Sequence, residues 1–249
     1  MKLSKHLSQR IFEYQNQLLE CCEVIQTNEL NIGYFNISVI TILLTFTTSF
    51  SDVVLSSLVA IAGPSTRRPF SNQISIKLET QDGKCCCKFF RNGKVHVTGT
   101  KSIARAMTTV DAILREVGQF SMTLGNFDVE MLNTNFRLAT PLFLTKLCEL
   151  AEVDKAIQVS YDSSRYPGVK LRLRGHGVML IFSSGSVIFT GCRGPNDLAK
   201  MFSVLSGILL ANPVICTAKR AHKVKKDTIK KYVCGYPSGL VDGIVGFRL

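Results

Sequence analysis

The sequence predicts an α+β fold: two tandem copies of one αβ unit, forming one curved antiparallel sheet with helices on its convex face. Three observations carry this. First, residues 88–101 and 180–193 repeat one another, with Phe90, Gly93, Val95, Thr98 and Gly99 recurring 92 positions later as Phe182, Gly185, Val187, Thr190 and Gly191, and Lys101 matched in charge by Arg193. Second, each repeat is an apolar strand, a tight turn (Asn92-Gly93; Ser184-Gly185) and another apolar strand, followed by helical periodicity. Third, 46% of the 249 residues are hydrophobic, enough for a sizeable core.

The elements follow in order. Ile11, Tyr14, Leu18, Cys22 and Ile25 lie at spacings of three and four and predict an amphipathic helix within residues 1–29. A strand over 36–46 opens the first unit. A short helix starting near Ser51-Asp52 carries Val54, Leu55, Leu58 and Ile61. Strand 73–78 precedes the first hairpin, and Ile103, Met107, Val110, Leu114 and Val117 mark the helix after it. The second unit repeats this plan: a strand over about 128–138, a helix starting at Thr140-Pro141 (a good N-cap followed by Pro at N1), a strand over 168–173, the second hairpin, and a helix bearing Leu198, Met201, Leu205, Ile208 and Leu209. Strands joined by hairpins, with both helices free to cover one face, predict an antiparallel sheet whose other face is bare. The organisation expected is a helical extension (1–32), repeat 1 (33–122), repeat 2 (123–214) and a basic tail (215–249).

Lys and Arg outnumber Asp and Glu by 30 to 18, a formal charge of +12 that suits an acidic partner, above all nucleic acid. Residues 1–29 lack the apolar core of a signal peptide. The longest apolar run, 37–46, is broken by Ser38, Thr41 and Thr45 and falls short of the roughly 20 residues that span a bilayer. A soluble intracellular protein is expected, with no membrane partner. Cys85, Cys86 and Cys87 are consecutive, so in a strand they point to alternate faces and cannot converge on one metal. No CxxC pair exists, and the four histidines are scattered. No nucleophile–base pair, phosphate loop or metal cluster is visible, so no catalytic residue, metal, cofactor or small-molecule substrate is expected.

The segments Phe-x-x-Gly-Lys-Val-x-Val-Thr-Gly-Thr-Lys at 90–101 and Leu-Ile-Phe-Ser-Ser-Gly-Ser-Val at 180–187 resemble the hairpin signatures of the TATA-binding protein family. Tyr166-Pro167-Gly168-Val169 resembles its Phe-Pro-Gly motif, and Asn36-Ile37 its opening Asn-Ile. The resemblance covers both repeats, about 180 residues. It implies a saddle whose concave sheet grips and bends A·T-rich double-stranded promoter DNA from the minor groove, without chemistry. By resemblance, Phe90 and Phe182 are intercalating wedges, partnered by Phe70 and Tyr166. Alternation puts Lys88, Phe90, His96 and Thr98 on one face of the first hairpin, and Leu180, Phe182, Ile188 and Thr190 on one face of the second. The family places this face on the minor-groove floor, together with Asn36 and its nearest second-repeat candidate, Asn126. Lys77, Arg172, Lys94, Lys101 and Arg193 match basic positions that meet phosphates. Phe89 and Ile181, on the opposite face, should be core.

Three departures stand out. Lys88 and His96 are polar where the family is apolar, so that half of the saddle should bind less well or prefer another sequence. Ser186 replaces a usual lysine. The loop before Tyr166, where the family recruits transcription factor IIB, keeps Asp162 but carries Ser164 and Arg165 in place of Glu-Leu. A weakened or rewired contact with a factor IIB-like protein and the RNA polymerase machinery is expected. The basic run Lys219, Arg220, Lys223, Lys225, Lys226, Lys230 and Lys231 would track phosphates, act as a nuclear address, or simply be solvated. Such diverged copies occur in protists and large DNA viruses; the altered loop suits a virus with its own polymerase, and either a nucleus or a viral factory as location. The alternative is a protein-interaction platform that kept the fold and lost DNA bending. Lys88, His96 and Phe70, which lies 20 residues before Phe90 where Tyr166 lies 16 before Phe182, favour it, while the charge and the retained Phe90, Phe182, Thr98 and Thr190 oppose it.

Overall fold

The computed structural model describes residues 1–62, 73–80 and 83–216. Phe70, the basic run from Lys219 to Lys231 and the Gly-rich segment 235–249 lie outside these residues. The elements are β1 (Lys2–Leu3), α1 (Lys5–Gln26), β2 (Ile32–Phe46), α2 (Asp52–Ala62), β3 (Gln73–Thr80), β4 (Gly83–Phe90), β5 (Lys94–Thr100), α3 (Ile103–Glu116), β6 (Thr123–Leu138), α4 (Leu144–Ala151), β7 (Ile157–Ser160), β8 (Gly168–Leu173), β9 (Gly177–Phe182), β10 (Ser186–Cys192) and α5 (Pro195–Ala211), closed by a 3-10 turn at Pro213–Ile215. No helix among the described residues is long and apolar enough to cross a membrane.

The described chain falls into two compact units. Unit 1 holds Met1–Gln15 and Val39–Glu130, and unit 2 holds Asn16–Ser38 and the described residues from Met131 onward. The long strands β2 and β6 contribute to both. The sheet runs β3-β4-β5-β2-β6 and β6-β10-β9-β8-β7, antiparallel apart from β1 beside β6.

Each unit builds its core from one face of its strands. In unit 1, Ile42, Leu44, Cys87, Phe89, Val95 and Val97 are fully buried, and Phe50 joins Phe46 and Phe89 with ring centroids 5.7 Å apart in each pair. In unit 2, Val169, Leu171, Met179, Ile181, Val187 and Phe189 are fully buried. There Phe136 sits at the centre of an aromatic cluster, 6.1 Å from Phe35, 5.1 Å from Phe189 and 5.9 Å from Phe202. Phe89 and Ile181 are core, as the alternation requires. Cys85 and Cys87 point into the core while Cys86 does not, and the described cysteines are all free.

The helices close each core. Ser102 caps α3, its Oγ accepting from the Arg105 N–H at 3.1 Å, and Ile103, Met107, Val110 and Leu114 are buried along one stripe. In α5, Pro195 stands at the start and Leu198, Met201, Leu205 and Leu209 are buried. In α1, Leu7, Ile11, Leu18, Cys22 and Ile25 are buried, and Tyr14 meets the Phe127 ring edge-on at 6.1 Å.

Four local expectations need correction. The helix expected at Thr140-Pro141 starts at Leu144, because the Leu142 N–H donates to the Ser183 carbonyl (2.9 Å) and the Phe143 N–H to the Ile215 carbonyl (2.8 Å), keeping the chain extended there. In α2, Val54 and Leu58 are buried but Ile61 is exposed. β2 and β6 begin at Ile32 and Thr123, four to five residues before the expected strands. The short edge strand β7 had no expected counterpart; Ile157 is its one fully inward residue, too brief an alternation to read from sequence.

Candidate nucleic-acid interface

The repeat extends beyond the hairpins into the strand register. In unit 1, Thr45 faces Lys94, Leu43 faces His96 and Ile40 faces Thr100. In unit 2, Arg137 faces Ser186, Asn135 faces Ile188 and Leu132 faces Cys192. Every one of these pairs is displaced by the same 92 positions. Both hairpin return strands also carry a bulge, between the Val97 and Thr100 pairings and between Phe189 and Cys192. Gly99 (φ +85°) and Gly191 (φ +80°) sit in these bulges, in a backbone region that other residues adopt only with strain.

The face turned away from each core is half-exposed and carries the residues expected there. In unit 1, β4 and β5 present Lys88, Phe90, His96 and Thr98; in unit 2, β9 and β10 present Leu180, Phe182, Ile188 and Thr190. Cross-strand register arranges them in rows. Lys88 faces His96, Leu180 faces Ile188, Phe90 faces Gln73 and Phe182 faces Gly168.

Two aromatic rings are packed together on this face of unit 2. Tyr166 and Phe182 meet with centroids 5.8 Å apart at an angle of 56°, and the Lys170 ammonium sits 4.7 Å from the centre of the Tyr166 ring. Gly168 leaves room for both rings. A Cβ there would stand 2.9 Å from a Phe182 ring carbon and 3.1 Å from one of Tyr166, so any side chain would have to move one ring.

The remaining polar positions are less alike. Asn36 is half-buried in β2. The asparagine taken as its counterpart, Asn126, is not at the matching place: the offset of 92 pairs Asn36 with Asp128, and the equally buried Phe35 and Phe127 confirm that register. The Asn126 amide is engaged locally, accepting from Arg10 Nη1 (2.8 Å) and donating to Asp128 Oδ2 (2.9 Å). Sequence reasoning missed Asn133 and Asn135. Asn133 Oδ1 accepts from the Gly191 N–H at 3.2 Å, while Asn135 Oδ1 is buried and has no hydrogen-bond partner among the described residues. Only cross-strand register could have revealed them.

Lys77, Lys94, Lys101, Arg172 and Arg193 are all exposed, with the Arg193 N–H donating to Asp197 Oδ2. Arg137, directly across from Ser186, supplies a cation on the strand beside the position where the usual lysine is lost. If the exposed Lys94 meets a DNA phosphate, as expected from the sequence, its removal should weaken binding to all sequences alike. Lys94→Ala is therefore expected to flatten the dependence of log K on log salt by about one, measured by anisotropy titrations across a salt series.

The loop before Tyr166 is organised around Asp162. Its Oδ1 accepts from the Ser164 hydroxyl (2.6 Å) and N–H (3.0 Å), its carbonyl accepts from the Arg165 and Tyr166 N–H groups, and its Oδ2 lies 3.3 Å from Arg165 Nε. The Ser164 hydroxyl and N–H hold the Asp162 carboxyl below the usual carboxylate range. Asp162, Ser164 and Arg165 thus satisfy one another within the loop.

A family model described as "Transcription factor TFIID (or TATA-binding protein, TBP)" matches residues 128–211. The TATA-box-binding protein of Archaeoglobus fulgidus is 29% identical over 133 residues, 52% of this chain and 71% of that protein. That of Methanothermococcus thermolithotrophicus is 30% identical over 129 residues, 50% of this chain and 70% of that protein. Among solved structures, Methanococcus jannaschii TBP superposes with a TM-score of 0.59 at 20% identity, covering 72% of this chain and 99% of that one, a likeness of fold.

Proposed function

The chain belongs to the TATA-binding protein family, and on that premise we propose that it is a transcription initiation factor that binds A·T-rich promoter DNA through the minor groove, bends it, and catalyses nothing. The observation that supports this most is the side on which the aromatics fall. Phe90 and Phe182 stay half-exposed on the bare face while their neighbours Phe89 and Ile181 are fully buried. A ring held out of the core, with Tyr166 packed beside it over a glycine, is shaped to enter a base step rather than to fill the interior. Thr98 in unit 1, and Thr190, Leu180 and Ile188 in unit 2, give the low-polarity surface that suits the minor-groove floor, with Lys77, Lys94 and Lys101 exposed in unit 1 and Arg172 and Arg193 in unit 2.

In this reading bending is exchanged for contact. Prising apart each step costs a few kcal/mol, a figure that belongs to this family's own DNA complexes, and the surface gained on kinked DNA offsets it. Flexible T-A steps deform at least cost and are the expected targets. The partner contact at the loop before Tyr166 would differ from the family's usual one, since the Asp162 carboxylate is turned onto its own loop. A factor IIB-like protein would have to read Arg165 and the serines instead.

The deciding experiment is energy transfer across an end-labelled duplex of about 20 base pairs, comparing a TATA-type with a G·C-rich sequence. A shortened end-to-end distance on the TATA-type duplex is expected. Binding without bending, or none, would make the sheet a protein-interaction platform instead.

A further inference from the structure

Resting on that reading, we propose that unit 1 recognises the exocyclic amine of guanine through His96, so that its part of the DNA site prefers a G·C pair over A·T. His96 stands in the middle of the bare face, in a row running Ser75, Lys88, His96, Leu43 across β3, β4, β5 and β2. The matching position in unit 2 is the apolar Ile188, between Leu180 and Asn135. Unit 1 has therefore put an imidazole where unit 2 keeps a hydrocarbon.

What the imidazole can do is set by Glu130 on β6. His96 Nε2 lies 2.6 Å from Glu130 Oε2, and both side chains keep some exposure. A carboxylate can only accept, so Nε2 carries the hydrogen. In the neutral ring, Nδ1 is then a lone-pair acceptor, and among the described residues no group donates to it. The minor-groove edges of A·T and T·A pairs offer acceptors alone; the one donor in that groove is the N2 amine of guanine. Against an A·T pair the Nδ1 lone pair meets another lone pair. Against G·C it accepts a hydrogen bond.

The hydrogen bond to Nε2 also fixes the position of the Glu130 carboxylate on this face.

The test uses the full chain and an A·T-rich duplex in which one G·C pair is stepped through the site, each compared with the same duplex carrying inosine for guanine. Inosine lacks only the N2 amine. The change from guanine to inosine should weaken binding about tenfold at one or two adjacent positions. In the double variant His96→Ile with Glu130→Ser, the ratio of guanine to inosine affinities should fall to one, whatever the affinity itself becomes. Equal affinities for guanine and inosine at every position, with the DNA bound, would overturn this proposal and leave the proposed function standing. A guanine preference that survives in the double variant would also overturn it. Failure to bind any duplex would overturn both.

Discussion

With Phe90 and Phe182 both replaced by alanine, the protein is expected to fold normally and to leave promoter DNA unbent. Neither ring belongs to a core: both sit half-exposed on the face opposite the buried Phe89 and Ile181, so truncation opens no cavity. The loss falls on the bound state. A side chain that stacks on a base contributes about 1–3 kcal/mol by truncation, so affinity should drop by at least tenfold and the energy-transfer signature of bending should disappear. The melting temperature of the free protein should move by no more than a surface substitution moves it. Gly168→Ala tests the same wedge without removing it, since the added methyl must displace the Phe182 or Tyr166 ring. Wild-type bending by the Phe90→Ala/Phe182→Ala protein would show that these rings are not the wedges.

The opposite behaviour is expected of Phe136→Ala. Phe136 is fully buried, stacked on Phe35 and meeting Phe189 and Phe202 edge-on. Truncating such a ring removes its transfer free energy and leaves a cavity that three fixed aromatic neighbours cannot easily collapse into, at a cost of about 3–5 kcal/mol. That is a large share of the roughly 5–15 kcal/mol by which domains are stable. Urea unfolding should show a much lower midpoint with an unchanged slope, and any loss of DNA binding should follow the unfolded fraction. A shift below about 1 kcal/mol would mean that the cluster repacks around the gap. Together the two experiments separate rings that hold the fold from rings that meet the ligand, two classes of phenylalanine that composition cannot tell apart.

What the sequence by itself determined was most of what short-range periodicity governs, Ile61 of α2 being an exception. Two hairpins with glycine at matching turns, the alternation that sends Phe89 inward and Phe90 outward, and the stripes of α3 and α5 follow from neighbours within a few residues, and the 92-residue repeat doubled each signal. The tertiary structure decided what depends on partners far apart in the chain. A strand's neighbours are set by register, and the 92-residue offset carried by the strand pairings matches Asn36 to Asp128, two residues beyond Asn126. For the same reason Arg137 opposite Ser186, Asn135 opposite Ile188 and Glu130 against His96 were invisible in a reading that compared hairpins with hairpins. The start of α4 was decided at long range too, because carbonyls of Ser183 and Ile215 hold Leu142 and Phe143 extended against the local preference of Thr140-Pro141 for a helix N-terminus. Local propensity contributes tenths of a kcal/mol per residue, and a pair of tertiary hydrogen bonds outweighs it.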